Sequence, residues 1–161
     1  MKRSRIRRLI MVVAVCLTGT VAAASPVAAA PYCGFSWGST PKSVTVAVET
    51  SMYQVRAGRH DCYDRLVVDM ADYGPQGYDV RYVDEIIDSA TGRPMPVRGG
   101  ARLLVSPQST LHGVFGVPDR TEVVDVRGYR TLQQVVYTGS WYSAGPFGVG
   151  CGPGCRSACS C

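Results

Sequence analysis

Three residue types suited to nucleophilic catalysis follow one another at His60, Asp61 and Cys62. An imidazole beside a thiol favours the thiolate, which is the attacking species in thiol catalysis. In an oxidising compartment, however, a cysteine forms a disulfide more readily than it serves as a nucleophile. We therefore predict a structural disulfide between Cys33 and Cys62, with no catalytic thiol.

Carboxylates offer a second kind of chemistry, because a glycoside hydrolase needs one acidic and one basic carboxyl group. The candidates are Asp64, Asp84 and Glu85. Neighbouring residues of a strand face opposite sides of a sheet, so Asp84 and Glu85 cannot converge on one bond without a bulge. Acids that alternate with arginines more often form cross-strand pairs on a solvent face. We assign no catalytic residue, and a carboxylate-dependent hydrolase stays open as an alternative.

Four cysteines crowd into the last eleven residues at positions 151, 155, 159 and 161. Their C-x3-C-x3-C-x-C spacing fits no common zinc pattern, so we predict no metal, although a Cys-rich metal-binding protein remains an alternative. The tail can be back-translated into DNA with GC-rich codons. Read one base earlier, that DNA encodes Val-Arg-Ala-Arg-Leu-Pro-Phe-Arg-Val-Leu-Val, which has the composition of a strand. A frameshift would explain the cluster, and we expect residues 151–161 to form a disordered tail.

The N-terminus has the pattern of a secretory signal peptide over residues 1–30: five basic residues, an apolar run and Ala-x-Ala cleavage sites. These basic residues account for the whole net charge of +5, since the remaining 12 Lys and Arg balance 12 Asp and Glu. A neutral mature chain gives no electrostatic reason to bind nucleic acid. No second long apolar run follows, so we expect a secreted protein without a transmembrane segment or cofactor.

Short segments rich in β-branched residues and bounded by Gly, Pro, Asp or Ser dominate the rest of the chain. They predict seven strands, at residues 43–48, 63–70, 78–83, 101–105, 123–126, 131–137 and 141–149. No amphipathic helix stands between them, which excludes parallel βαβ units. The pattern predicts a small antiparallel β-sandwich over residues 31–150.

Several motifs, taken in order, resemble the secreted AMIN-like domain proteins of actinobacteria. The segments that carry the resemblance begin at Cys33, Gly58, Gly77, Gly99, Gly128 and Phe147, and read CGFSWGS, GRHDCYDRLV, GYDVRYVD, GGARL, GYRTL and FGVG. The resemblance covers residues 31–150. The absence of Asn and the 15 Arg against two Lys agree with a GC-rich source of this kind.

The resemblance implies a small β-sandwich of the cell envelope that has no enzymatic activity and binds peptidoglycan, another cell-wall glycan or envelope proteins. Candidate glycan contacts are the aromatic residues Tyr129, Trp141 and Tyr142. A cell-wall hydrolase is the alternative from a different class. Similar sequences continue beyond the FGVG motif with two further strands, so we expect the sandwich to be incomplete at its C-terminus.

Overall fold

The computed structural model describes residues 38–46, 50–71, 77–108, 117, 119–139 and 145–152. They form seven strands and no helix. The strands are β1 (Lys42–Val44), β2 (Met52–Arg59), β3 (Asp64–Met70), β4 (Tyr78–Val83), β5 (Ala101–Pro107), β6 (Leu132–Tyr137) and β7 (Phe147–Cys151). The predicted all-β class is confirmed.

Every strand pairing in the described residues is antiparallel, and two sheets result. Five strands form one sheet in the order β1-β4-β5-β7-β6, and β2 and β3 form a separate hairpin. β7, the last strand in the sequence, therefore lies between β5 and β6 rather than at an edge.

The hairpin covers one face of the five-stranded sheet, which we call the front face. Alternate residues of the sheet point to this side, as period-two strands require. They form one apolar cluster with the inward side of the hairpin, which we call the front core. It is built mainly from Met52, Val55, Leu66, Val68, Val80, Leu103, Val135, Phe147 and Val149. Phe147, Val135 and Val149 are at most 1% exposed, so the centre of the core lies under β6 and β7.

The opposite, back face of the sheet is covered by residues 84–100 between β4 and β5, which we call the back cover. Ile86 and Val97 of this segment pack with Val136 of β6 in a second buried cluster. They approach β7 at Gly148 and Gly150, where glycine leaves room. A Cβ on Gly150 would overlap the carbonyl oxygen of Arg98. The alternation Phe-Gly-Val-Gly in β7 thus places large side chains in the front core and bare backbone under the back cover.

The outer edge of β6 is capped by the loop that precedes it. Tyr137 donates its backbone N–H to the carbonyl of Arg120 (2.8 Å), and Val123 donates to the carbonyl of Val135 (2.9 Å). The buried Gln134 accepts a hydrogen bond from the Arg98 N–H (2.7 Å) and donates one to the Thr121 carbonyl (2.8 Å). Gln134 therefore joins the back cover to the loop that caps the edge.

The strand prediction was wrong at two places. Met52–Arg59 forms β2, which was not predicted. Residues 123–126, predicted as a strand, form the irregular capping loop instead. Part of the predicted strand at 141–149 lies outside the described residues.

The boundary between domain and tail also needs correction at Cys151. This residue is the last of β7, pairs with Ala101 and Leu132, and is fully buried. Gly152 continues the contact by donating its N–H to the Thr131 carbonyl (2.9 Å). The sheet thus includes the first residue of the expected tail, and residues 153–161 lie outside the described part of the chain.

Candidate functional site

Two of the sequence motifs meet at one end of the sheet. The first contains the turn between β2 and β3, which is closed by a hydrogen bond from the His60 N–H to the Tyr63 carbonyl (2.9 Å). The second is the loop that leads into β6, where Tyr129 donates its N–H to the Val126 carbonyl (3.1 Å). We call the contact between residues 58–65 and residues 127–132 the motif junction.

Asp64 holds the two segments together. One oxygen of its carboxylate, Oδ2, accepts hydrogen bonds from the Thr131 N–H (2.5 Å), the Thr131 hydroxyl (2.8 Å) and the Leu132 N–H (3.1 Å). Burial of the carboxylate raises its pKa, but the hydrogen bonds from Thr131 and Leu132 outweigh this effect, and the pKa of Asp64 lies below its ordinary value of 3.8. Asp64 is therefore an ionised group that positions β6 against β3.

Two arginines cross the junction in opposite directions. Arg59, from the end of β2, donates to the carbonyl of Gly128 (3.2 Å). Arg130, from the facing loop, donates to the carbonyl of Asp61. Each guanidinium is thus held by a backbone oxygen of the opposite segment, and both arginines are exposed.

Aromatic residues follow or precede these arginines in the sequence. His60 and Tyr63 stack with ring centroids 4.6 Å apart and planes 25° from parallel. Tyr129 stands between Gly128 and Arg130 in the sequence and is half-buried against the front core. Of the predicted glycan contacts, the structure therefore places Tyr129 at the junction, whereas Trp141 and Tyr142 lie outside the described residues.

The charges at the junction differ in how they are balanced. Arg127 and Asp125 form an ion pair with N and O 2.6 Å apart. The hydrogen bonds that Arg127 donates lower the pKa of Asp125 to about 2. Among the described residues, the ion pairs do not include Arg59 or Arg130. Their positive charges are consequently available to a ligand.

Asp64 and Asp84, two carboxylates of the hydrolase alternative, are not brought together. Asp64 is bonded to the start of β6, and Asp84 directly follows β4. Three strand spacings, roughly 14 Å, separate β4 from β6. A glycosidase needs its two carboxyl groups about 5–9.5 Å apart. Glu85 follows Asp84 in the sequence and is exposed.

The two cysteines of the described residues differ in state. Cys62 lies in the β2–β3 turn and is disulfide-bonded, whereas Cys151 is buried and is not in a disulfide. Cys33 lies outside the described residues, so its pairing with Cys62 stays a prediction. A bonded Cys62 does not provide the thiolate that a catalytic site would need. No group of three His, Cys, Asp or Glu side chains suited to a metal ion occurs in the part of the chain that the structure describes.

Comparison with known protein families gives one decisive match, since a sequence model described as the AMIN-like domain matches residues 50–154. The chain belongs to the AMIN-like domain family. Neither the curated proteins nor the solved structures contain a match. The part of this AMIN-like domain that the structure describes also contains no helix able to cross a membrane.

The family match includes both segments of the motif junction and ends beyond β7. Sequence reasoning selected Tyr129 but missed Arg59 and Arg130. Both arginines lie inside motifs that carried the resemblance, and this position was the only feature of the sequence that could have pointed to them. Their roles depend on contacts between segments 69 residues apart in the sequence.

Proposed function

We propose that this AMIN-like domain is a secreted, non-enzymatic module of the bacterial cell envelope that binds peptidoglycan or another cell-wall glycan. Membership of the family supports an envelope association. The observation that carries the binding role is the motif junction, where exposed arginines and aromatic rings converge on one end of the fold.

This combination of side chains is chemically suited to a polysaccharide. Aromatic rings provide flat apolar surfaces with polar edges, which can lie against sugar rings. Arginine N–H groups donate to hydroxyl and carboxylate oxygens. At the motif junction, the His60–Tyr63 stack offers the first kind of surface, and Arg59 and Arg130 offer the second.

The separation of Asp64 from Asp84 favours binding over the hydrolase alternative. Asp64 is engaged by three donors of the β6 segment, and its approach to Asp84 is prevented by two intervening strands. A domain of this kind would attach to the cell wall without cleaving the covalent bonds of the wall polymer.

Sedimentation of the mature chain with insoluble peptidoglycan sacculi tests this proposal. We expect the protein to move to the pellet in a saturable manner, with no soluble muropeptide released from the sacculi. A muramidase under the same conditions serves as the positive control for release. Protein that remains in the supernatant at every sacculus concentration, or that releases muropeptides, would contradict the proposal.

A further inference from the structure

We propose that the motif junction recognises an oxyanion of the wall polymer, either a carboxylate or a phosphodiester, through the guanidinium groups of Arg59 and Arg130. This inference rests on the proposed envelope-binding function and names the chemical group that the site selects. A guanidinium has five N–H donors in a planar fork that fits carboxylate and phosphate alike.

The arginines have donors to spare for a ligand. Arg59 uses Nη1 for the carbonyl of Gly128, and Arg130 uses Nη1 for the carbonyl of Asp61. Both side chains belong to exposed residues, and their other N–H groups form no hydrogen bond with the described residues. A carbonyl oxygen orients a guanidinium without neutralising its charge, whereas a carboxylate partner would do both.

Arg59 and Arg130 are distinguished by lying on two facing segments. Arg65, Arg93 and Arg102 also form no ion pair among the described residues, and Arg102 donates to the carbonyl of Asp84. Arg56, Arg81, Arg98, Arg120 and Arg127 each form an ion pair with a carboxylate. Arg59 and Arg130 are instead held by backbone carbonyls on facing segments, and Asp64 fixes those segments against each other. The cationic groups are thereby positioned before a ligand arrives, which lowers the entropy cost of binding.

The acidic groups nearby leave the junction with positive charge. The carboxylate of Asp64 is bonded to Thr131 and Leu132, and that of Asp125 is paired with Arg127. Within the junction, Arg59, Arg65 and Arg130 carry three positive charges against the two negative charges of Asp61 and Asp64, whose hydrogen-bond donors are neutral. The net field at the junction therefore attracts an anion, although the mature chain as a whole is neutral.

The test compares three preparations of sacculi in the sedimentation assay: untreated, with carboxyl groups converted to amides, and with phosphodiesters removed by hydrofluoric acid. The variants are Arg59→Gln and Arg130→Gln, each with a Lys counterpart that keeps the charge. Arg93→Gln is the matched control. Arg93 is exposed in the turn next to Thr138, at the opposite end of β6 from the junction.

We expect each Gln variant to weaken binding to untreated sacculi by about tenfold. Arg93→Gln should bind as the unaltered protein does, and binding should fall as salt rises. Loss of affinity for amidated sacculi identifies the carboxylate as the ligand, and loss for phosphate-free sacculi identifies the phosphodiester. The Lys variants, which keep the charge without the planar fork, should bind less weakly than the Gln variants. If a Gln variant fails to fold, the unaltered protein on the three sacculus preparations decides whether an oxyanion is recognised.

Two results would overturn the inference, and they differ in meaning. If untreated, amidated and phosphate-free sacculi bind equally well and the Gln variants match Arg93→Gln, the oxyanion site is wrong while the envelope-binding function stands. If the unaltered protein binds none of the three preparations, the proposed function fails and the inference fails with it.

Discussion

Replacing Gly150 by alanine is expected to destabilise the domain by about 3 kcal/mol or more. The new Cβ would overlap the carbonyl oxygen of Arg98 and lie 2.7 Å from Cγ1 of Val97. The carbonyl oxygen of Arg98 belongs to the backbone, so it cannot move aside as the end of a flexible side chain can. Overpacking usually costs about 1–3 kcal/mol and sometimes more, and a backbone clash in a central strand belongs at the upper limit. We expect the melting temperature to fall by about 15 °C or more.

Two further glycines supply the controls for this measurement by thermal unfolding. At Gly148, a Cβ would come within 2.7–2.8 Å of side-chain atoms of Ile86 and Val136, which can shift, so Gly148→Ala should have an intermediate effect. At Gly38, a Cβ would meet nothing within 4 Å, so Gly38→Ala should be nearly neutral. Equal melting temperatures for the Gly150 and Gly38 variants would contradict the described packing of the back cover on β7.

Asp64→Ala is the second change with a large expected effect, about 3 kcal/mol of destabilisation. The substitution removes a charged acceptor and leaves the Thr131 N–H, the Thr131 hydroxyl and the Leu132 N–H without it. Hydrogen bonds to charged groups contribute about 1.5–3 kcal/mol each, although water reaching the exposed groups offsets part of their loss. Asp61→Ala is the matched control, because that aspartate is exposed and its contact with Arg130 uses its backbone carbonyl.

The effect of Asp64 should depend on pH with a definite sign. Its folded pKa lies below the unfolded value of 3.8, so its carboxylate stabilises the fold fully above that value. The contribution decreases as the pH falls below 3.8 and is lost below the folded pKa. Urea unfolding of the unaltered protein and Asp64→Ala should therefore show a large difference at pH 7 that shrinks below pH 3.8. A difference that is the same at both extremes would show that ionised Asp64 does not hold the junction.

The sequence predicted strands well where hydrophobic alternation is regular. Leu66, Val68 and Met70 alternate in β3, and all three pack against the front core as period two requires. The alternation fails in β2, because a bulge between Met52 and Gln54 places the next core residue three positions on, at Val55. A strand with this irregularity cannot be recognised by period two alone.

Residue composition also misled the prediction at 123–126. The valines of this segment suit a strand. Val126 is nevertheless buried in the front core, and Val123 contacts β6 through one backbone hydrogen bond, from its N–H to the Val135 carbonyl. The segment caps an edge without continuing the sheet. That outcome depends on where β6 lies in the folded chain, and local sequence does not contain this information.

The candidate site could be predicted only in part for the same reason. Tyr129 was selected by residue type, since aromatic rings suit glycans. Arg59 and Arg130 gain their importance from reaching across to the carbonyls of Gly128 and Asp61. An arginine whose charge is free and one whose charge is paired look alike in the sequence, and only the fold distinguishes them.

Hydrogen exchange of the backbone amides, measured with and without soluble peptidoglycan fragments, tests the central claim most directly. The account predicts that fragments slow exchange in residues 58–65 and 127–132, the two segments of the motif junction. Residues 86–97 of the back cover should exchange at unchanged rates, which provides an internal control. Slowed exchange confined to the back cover, or no change anywhere at saturating fragment concentration, would contradict the assignment of the motif junction as the binding surface.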